Sequence, residues 1–116
     1  MKRPLIKTTR VAGFALLAIC VAAAPLRAQE PANFNIAIKE HHFEPAELDV
    51  PAGIKFTVTV KNLNDTAAEF ESTVLNREKV VVGGASITVY LGPLTPGSYE
   101  FFNDFDPDAR GHVVVK

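Results

Sequence analysis

Sulfur is almost missing from this sequence: 116 residues hold one cysteine (Cys20), one methionine (Met1) and no tryptophan. A single thiol excludes an internal disulfide framework and any zinc site built from several cysteines. Basic charge is scarce after the first segment. Lys2, Arg3, Lys7, Arg10 and Arg27 precede residue 29, whereas all thirteen acidic residues follow it, so residues 29–116 carry seven basic against thirteen acidic groups, a formal −6. A domain of that sign lacks the cationic stripes that nucleic acid requires. No internal repeat, low-complexity tract, interdomain linker or sustained helical periodicity is visible after residue 28, and the length suits one domain.

What is present first is a leader. Met1 to Arg10 is basic without an acidic residue, and Val11 to Ala24 runs uncharged and rich in Ala, Leu, Val and Ile. A basic region followed by a short apolar one has the form of a secretory signal peptide, with the expected cut after Ala28. The stretch is short for a bilayer core of ~30 Å, an uncleaved anchor being the alternative. Leu17-Ala18-Ile19-Cys20 only loosely resembles a lipobox, since Ile19 is bulky, and Cys20 is read as part of the signal. Residues 29–116 then form the mature domain, which contains neither Cys nor Met.

Within that domain period-two patterns dominate. Phe34, Ile36 and Ile38 alternate with Asn35, Ala37 and Lys39; Leu48 and Val50 with Glu47 and Asp49; Phe56, Val58 and Val60 with Thr57, Thr59 and Lys61. Further strands are expected over 69–73, 79–82, 87–91, 98–102 and 112–116, with turns at Pro51-Ala52-Gly53, 62–65, Gly83-Gly84, Gly92-Pro93 and Pro96-Gly97, and a loop over 103–110. Short strands separated by turn residues predict an all-β sandwich.

Phe43-Glu44-Pro45, Val50-Pro51-Ala52-Gly53, Val60-Lys61-Asn62, Pro96-Gly97-Ser98-Tyr99-Glu100-Phe101 and the late Gly111, in this order and spacing, resemble the cupredoxin-like fold, a Greek-key β-sandwich. The resemblance covers the whole mature chain and implies a core position for Phe43. Its blue-copper members hold a metal with imidazoles, a thiolate and usually a thioether. By the resembling pattern those ligands would fall on Ala68 or Glu69, Asn103, Asp106 and about Ala109. None is a sulfur or imidazole donor, so a type-1 copper site is excluded by residue type.

Carboxylates stand in that neighbourhood instead. Glu69 and Glu71 share one strand face with Phe70 opposite, and Asp104, Asp106 and Asp108 crowd the 103–110 loop. Glu69, Glu71, Asp104 and Asp106 are the candidate metal ligands, an oxygen-rich set suited to harder cations and to iron. Asp108 is read as turn chemistry. The Glu-Phe-Glu segment, with Arg77-Glu78-Lys79-Val80-Val81 and Phe101-Phe102-Asn103-Asp104-Phe105, is similar to the periplasmic cupredoxin-like component of bacterial ferrous-iron permease systems and to the N-terminal domain of Efe-type iron-uptake proteins. That resemblance implies a periplasmic accessory protein handling iron, with or without copper, and partnered by permease components or another periplasmic protein.

Two other readings stand beside it. A metal-free interaction module would use a Phe102/Phe105 rim, and a copper carrier would use His41, His42 or His112. His41 and His42 are adjacent on an extended segment and point to opposite sides, which prevents them from chelating one ion together. Arg77 and Lys79, flanking Glu78, read as solvated charges. Carboxylates accept no electrons, so oxidation of Fe(II) would need a bound redox metal, and enzymatic activity is left open.

Overall fold

The computed structural model describes residues 2–5, 13, 15–20 and 30–116. The expected signal peptide over 1–28, with its cut after Ala28, lies largely outside the described residues. Among the described residues no helix is long and apolar enough to cross a membrane.

The chain from residue 32 onward is built of strands: β1 (Ala32–Lys39), β2 (His42–Glu44), β3 (Glu47–Val50), β4 (Phe56–Asn62), β5 (Ala68–Ser72), β6 (Arg77–Val81), β7 (Ser86–Leu91), β8 (Gly97–Asn103) and β9 (Asp106–Val115). They form two sheets, ordered β2-β1-β4-β7 and β3-β9-β8-β5-β6. The expected all-β sandwich is the observed one. β1 runs parallel to β4 and β3 parallel to β9. Parallel neighbours cannot be joined by a tight hairpin, so the chain passes between the sheets before returning.

Alternation directs one side of each strand inward. Ile36 and Ile38 of β1, Phe56, Val58 and Val60 of β4, Phe70 of β5, Phe101 of β8 and Val113 of β9 are all at most 2% exposed. Phe101 is the hub at one end. Phe43 meets its ring edge-on at 4.9 Å between centroids, and Phe70 packs on it at 5.4 Å. Phe43 therefore occupies the expected core position, and each such buried ring stabilises the fold by about 1.5–3 kcal/mol. Gly111 lets this cluster close: a Cβ there would lie 2.5 Å from the Phe101 ring and 2.6 Å from the Ala46 carbonyl oxygen.

Buried Asn62 fastens the sheets' crossover. Its amide nitrogen donates to the carbonyls of Thr66 (2.8 Å) and Val81 (3.1 Å), and its side-chain oxygen accepts the N–H of Asn64 (3.0 Å). A fully satisfied amide is what permits a polar side chain at 0% exposure.

Three expectations are corrected. The segment 103–110 is no loop: β8 runs to Asn103, which pairs with Asp106 across a tight turn, and Ala109 is buried in β9. Pro107 and three aspartates suggest a loop, but β3 pairs with β9 only from His112 onward, so the missing N–H of Pro107 costs no ladder bond on that side. The fifth expected strand begins at Arg77 rather than Lys79, and the short strand β2 was not expected at all.

Candidate metal centre

β5 is packed between β8 and β6, and its alternation puts Phe70 in the core and Glu69 and Glu71 on the outer face of the five-stranded sheet. One oxygen from each of Glu69, Glu71 and Asp104 lies within 4.8 Å of the others. Asp104 follows the end of β8, and its backbone N–H donates to the Glu69 carbonyl at 3.0 Å. The structure thus brings together three of the four residues singled out in the sequence.

Asp106 is the fourth, and it lies elsewhere. Its Oδ2 meets His41 Nδ1 at 2.5 Å, beside a cavity of about 500 Å³ lined in part by Glu40, Asn64, Asn103 and Phe105. Only Phe105 separates Asp104 from Asp106, and the turn carries one to the sheet face and the other to the end of the sandwich. Asp108 is exposed.

Glu78 is the residue that sequence reasoning left out. It pairs with Glu71 across β5 and β6, and its carboxyl is the leading influence on that of Glu69. Its signal was its position between Arg77 and Lys79, which becomes informative only once the register of the β5–β6 hairpin is known. That register is set by the turn in which Asn76 takes φ 52.

The electrostatics follow from this crowding. Glu69 is 8% exposed, and its Oε1 is buried with no hydrogen-bond partner. The neighbouring Glu78 carboxyl first, then burial, then the charges of Asp104 and Glu71 push its pKa up to about 7. Glu71 is raised as well, by burial and by the charges of Asp104 and Glu78. Both shifts express one fact, that neighbouring carboxylates removed from water resist ionising together.

Nearby cations are turned away from the cluster. Arg77 Nε donates to the Tyr90 carbonyl (3.0 Å) and Lys79 Nζ to the Thr88 carbonyl (3.3 Å), both on β7, and both side chains are exposed, as expected of solvated charges. Arg110 pairs with Glu100 at 2.6 Å and lies over the Phe102 ring. A cation with oxygen preference would supply the missing positive charge and a partner for the Glu69 oxygen.

The histidines form no common site. His41 pairs with Asp106, His42 with Glu44 at 2.9 Å, and His112 approaches Glu100 at 3.6 Å. The bond to Asp106 raises the pKa of His41, and the bond to His42 lowers that of Glu44. Of the two rim candidates, Phe102 is half-buried and Phe105 is 55% exposed.

The family description "Cupredoxin-like domain" matches residues 9–115, and the chain belongs to that family. Uncharacterized protein RP394 of Rickettsia prowazekii is 45% identical over 82 residues, an alignment that spans 70% of this chain and 66% of that protein. Auracyanin A, a "blue" copper protein from Chloroflexus aurantiacus, superposes with a TM-score of 0.64 at 17% identity, over 75% of this chain and all of its own. A purple cupredoxin from Nitrosopumilus maritimus gives 0.59 at 20% identity, over 72% and 99% respectively. These likenesses establish the fold. The donor set does not fit a type-1 copper centre: Ala68, Asn103 and Ala109 are packed at 2%, 4% and 0% exposure, and the described residues gather no thiolate or imidazole pair there.

Proposed function

We propose that this protein is a periplasmic, cupredoxin-fold accessory protein of iron uptake that binds or relays iron through Glu69, Glu71 and Asp104. Glu78 is the adjoining fourth carboxylate. The observation that carries the reading is the unpartnered, buried Oε1 of Glu69 in a carboxylate cluster from which Arg77, Lys79 and Arg110 are held away. Oxygen donors of this kind favour iron and other hard cations over Cu(I). The leader supports export, and a permease component or another periplasmic protein would receive the ion. Binding and relay need no electron acceptor, so the reading does not require an enzyme.

Calorimetric titration of residues 30–116 with Fe(II), Fe(III) and Cu(II) tests it. The expected result is iron binding near one ion per chain, abolished by Glu69→Gln with Asp104→Asn and retained in Asp106→Asn. Absence of iron binding overturns the reading. So does copper binding that survives the carboxylate changes and fails in His41→Ala, which would identify a histidine-based copper carrier. Capture of a periplasmic partner without any metal, lost in Phe105→Ser, would identify an interaction module.

A further inference from the structure

Asn103 ends β8 beside the carboxylate cluster without belonging to it. The side chain is 4% exposed. Its Oδ1 accepts two backbone N–H groups, from Glu69 at 2.9 Å and from Phe105 at 3.1 Å. Two fixed donors on one oxygen settle the orientation of the amide: the oxygen faces the strand and turn, and the NH₂ faces the other way. That other side is the cavity at the end of the sandwich, which Asn103 helps to line.

These bonds bracket Asp104. The residue before it holds the Glu69 N–H, the residue after it is bound to the same Asn103 oxygen, and Asp104 itself donates to the Glu69 carbonyl at 3.0 Å. Regular pairing of β5 with β8 comprises Glu71 with Phe102 and Phe70 with Asn103. Beyond that point a side-chain oxygen continues the ladder in place of a backbone carbonyl. A register shift between Phe102 and Asn103 marks where the strand re-aims its side chains, as bulges do.

We propose that Asn103 is a positioning residue for the cation site: it presets Asp104 against Glu69 and does not itself touch the ion. The proposal rests on the carboxylate reading above. The acceptor oxygen is the working part. An aspartate keeps it, an alanine removes it, and a serine hydroxyl is too short to reach both N–H groups.

Terbium(III), an oxygen-seeking ion whose luminescence lifetime in H₂O and D₂O counts its bound waters, is the probe for residues 30–116. Asn103→Ala should weaken terbium binding by about 10–100-fold, the range for loss of a residue that orients a ligand. It should also add one bound water as Asp104 drops away. Asn103→Asp should stay within about threefold of the parent, a change of less than ~0.7 kcal/mol. Circular dichroism well below the melting midpoint establishes that each variant is folded, and Asn103→Ser replaces the alanine variant if that one is not.

A folded alanine or serine variant with parental affinity and hydration overturns the proposal and leaves the carboxylate site intact. Weakened binding in Asn103→Asp equal to that in Asn103→Ala also overturns it, because the acceptor oxygen would then not be what matters. A parent protein that binds no terbium overturns the carboxylate reading itself and this proposal with it.

Discussion

The guanidinium of Arg110 lies over the ring of Phe102, 5.1 Å from its centroid. In the cross-strand row on the outer face, Phe102 stands between Arg110 on β9 and Glu71 on β5. The ring therefore separates the nearest cation of β9 from the carboxylate cluster, and Glu100 holds that cation from behind at 2.6 Å.

Removing the ring should let the cation in. Phe102→Ala is expected to lower iron or terbium affinity by about 3–10-fold, as a guanidinium brought within ~4–6 Å competes for the same carboxylates. Adding Arg110→Gln should restore the parental value. Calorimetry on the single and double variants checks this, and an affinity that stays low in the double variant would show that Phe102 acts through packing instead.

Glu78 should contribute without being indispensable. Glu78→Gln removes one negative charge and the leading cause of the raised Glu69 pKa. Cation affinity should fall by roughly tenfold, about 1.4 kcal/mol, whereas the metal-free protein should become less sensitive to pH. Titration with terbium at fixed pH, together with melting curves of the metal-free variant, reads both effects.

The metal-free protein should lose stability as pH rises through the range from 4.5 to about 7. Glu69 ionises at 4.5 when exposed and near 7 in the folded state, so across that window the folded chain holds a proton that the unfolded chain has released. Stability falls wherever the folded state binds more protons. Glu71 is shifted in the same direction. His41, raised above 6.5 by Asp106, adds stability that is full below 6.5 and is lost as pH climbs through its folded value. Thermal melting against pH should show Glu69→Gln flattening the lower part of the decline and His41→Asn only the part above 6.5. A parallel profile for parent and Glu69→Gln would rule out the crowded-carboxylate explanation.

Gly111→Ala should destabilise the fold by about 1–3 kcal/mol, the usual cost of forcing a methyl group into a filled core. The new carbon would meet the Phe101 ring at 2.5 Å and the Ala46 carbonyl oxygen at 2.6 Å, and backbone cannot step aside as a flexible side chain does. Urea denaturation measures the loss, and an unchanged midpoint would contradict the packing described for Phe101.

How much of this was legible beforehand differs from element to element. Phe56 to Lys61 could be read because alternation, β-branched residues and flanking turns agree. The pairing of Glu69 with Glu71 on one face follows from the two-residue period alone. Their meeting with Asp104 required the cupredoxin resemblance, because it joins residues more than thirty positions apart. The separation of Asp106 from Asp104 was hidden because a loop and a tight hairpin of the same composition look alike, and only pairing partners distinguish them. Glu78 was hidden for a related reason: which side of β6 faces the cluster depends on a register that the four residues between the strands decide.

β6 is the outermost strand of its sheet and pairs only with β5. Acidic Glu78 sits between Arg77 and Lys79, so a slip of one position in that pairing would exchange an anion for a cation opposite Glu71, because side chains reverse faces with every residue. The carboxylate cluster would then carry its own counter-ion. The sign of the site's field is thus written into a hairpin's alignment, and a one-residue insertion between Ser72 and Arg77 would neutralise it without altering a single carboxylate.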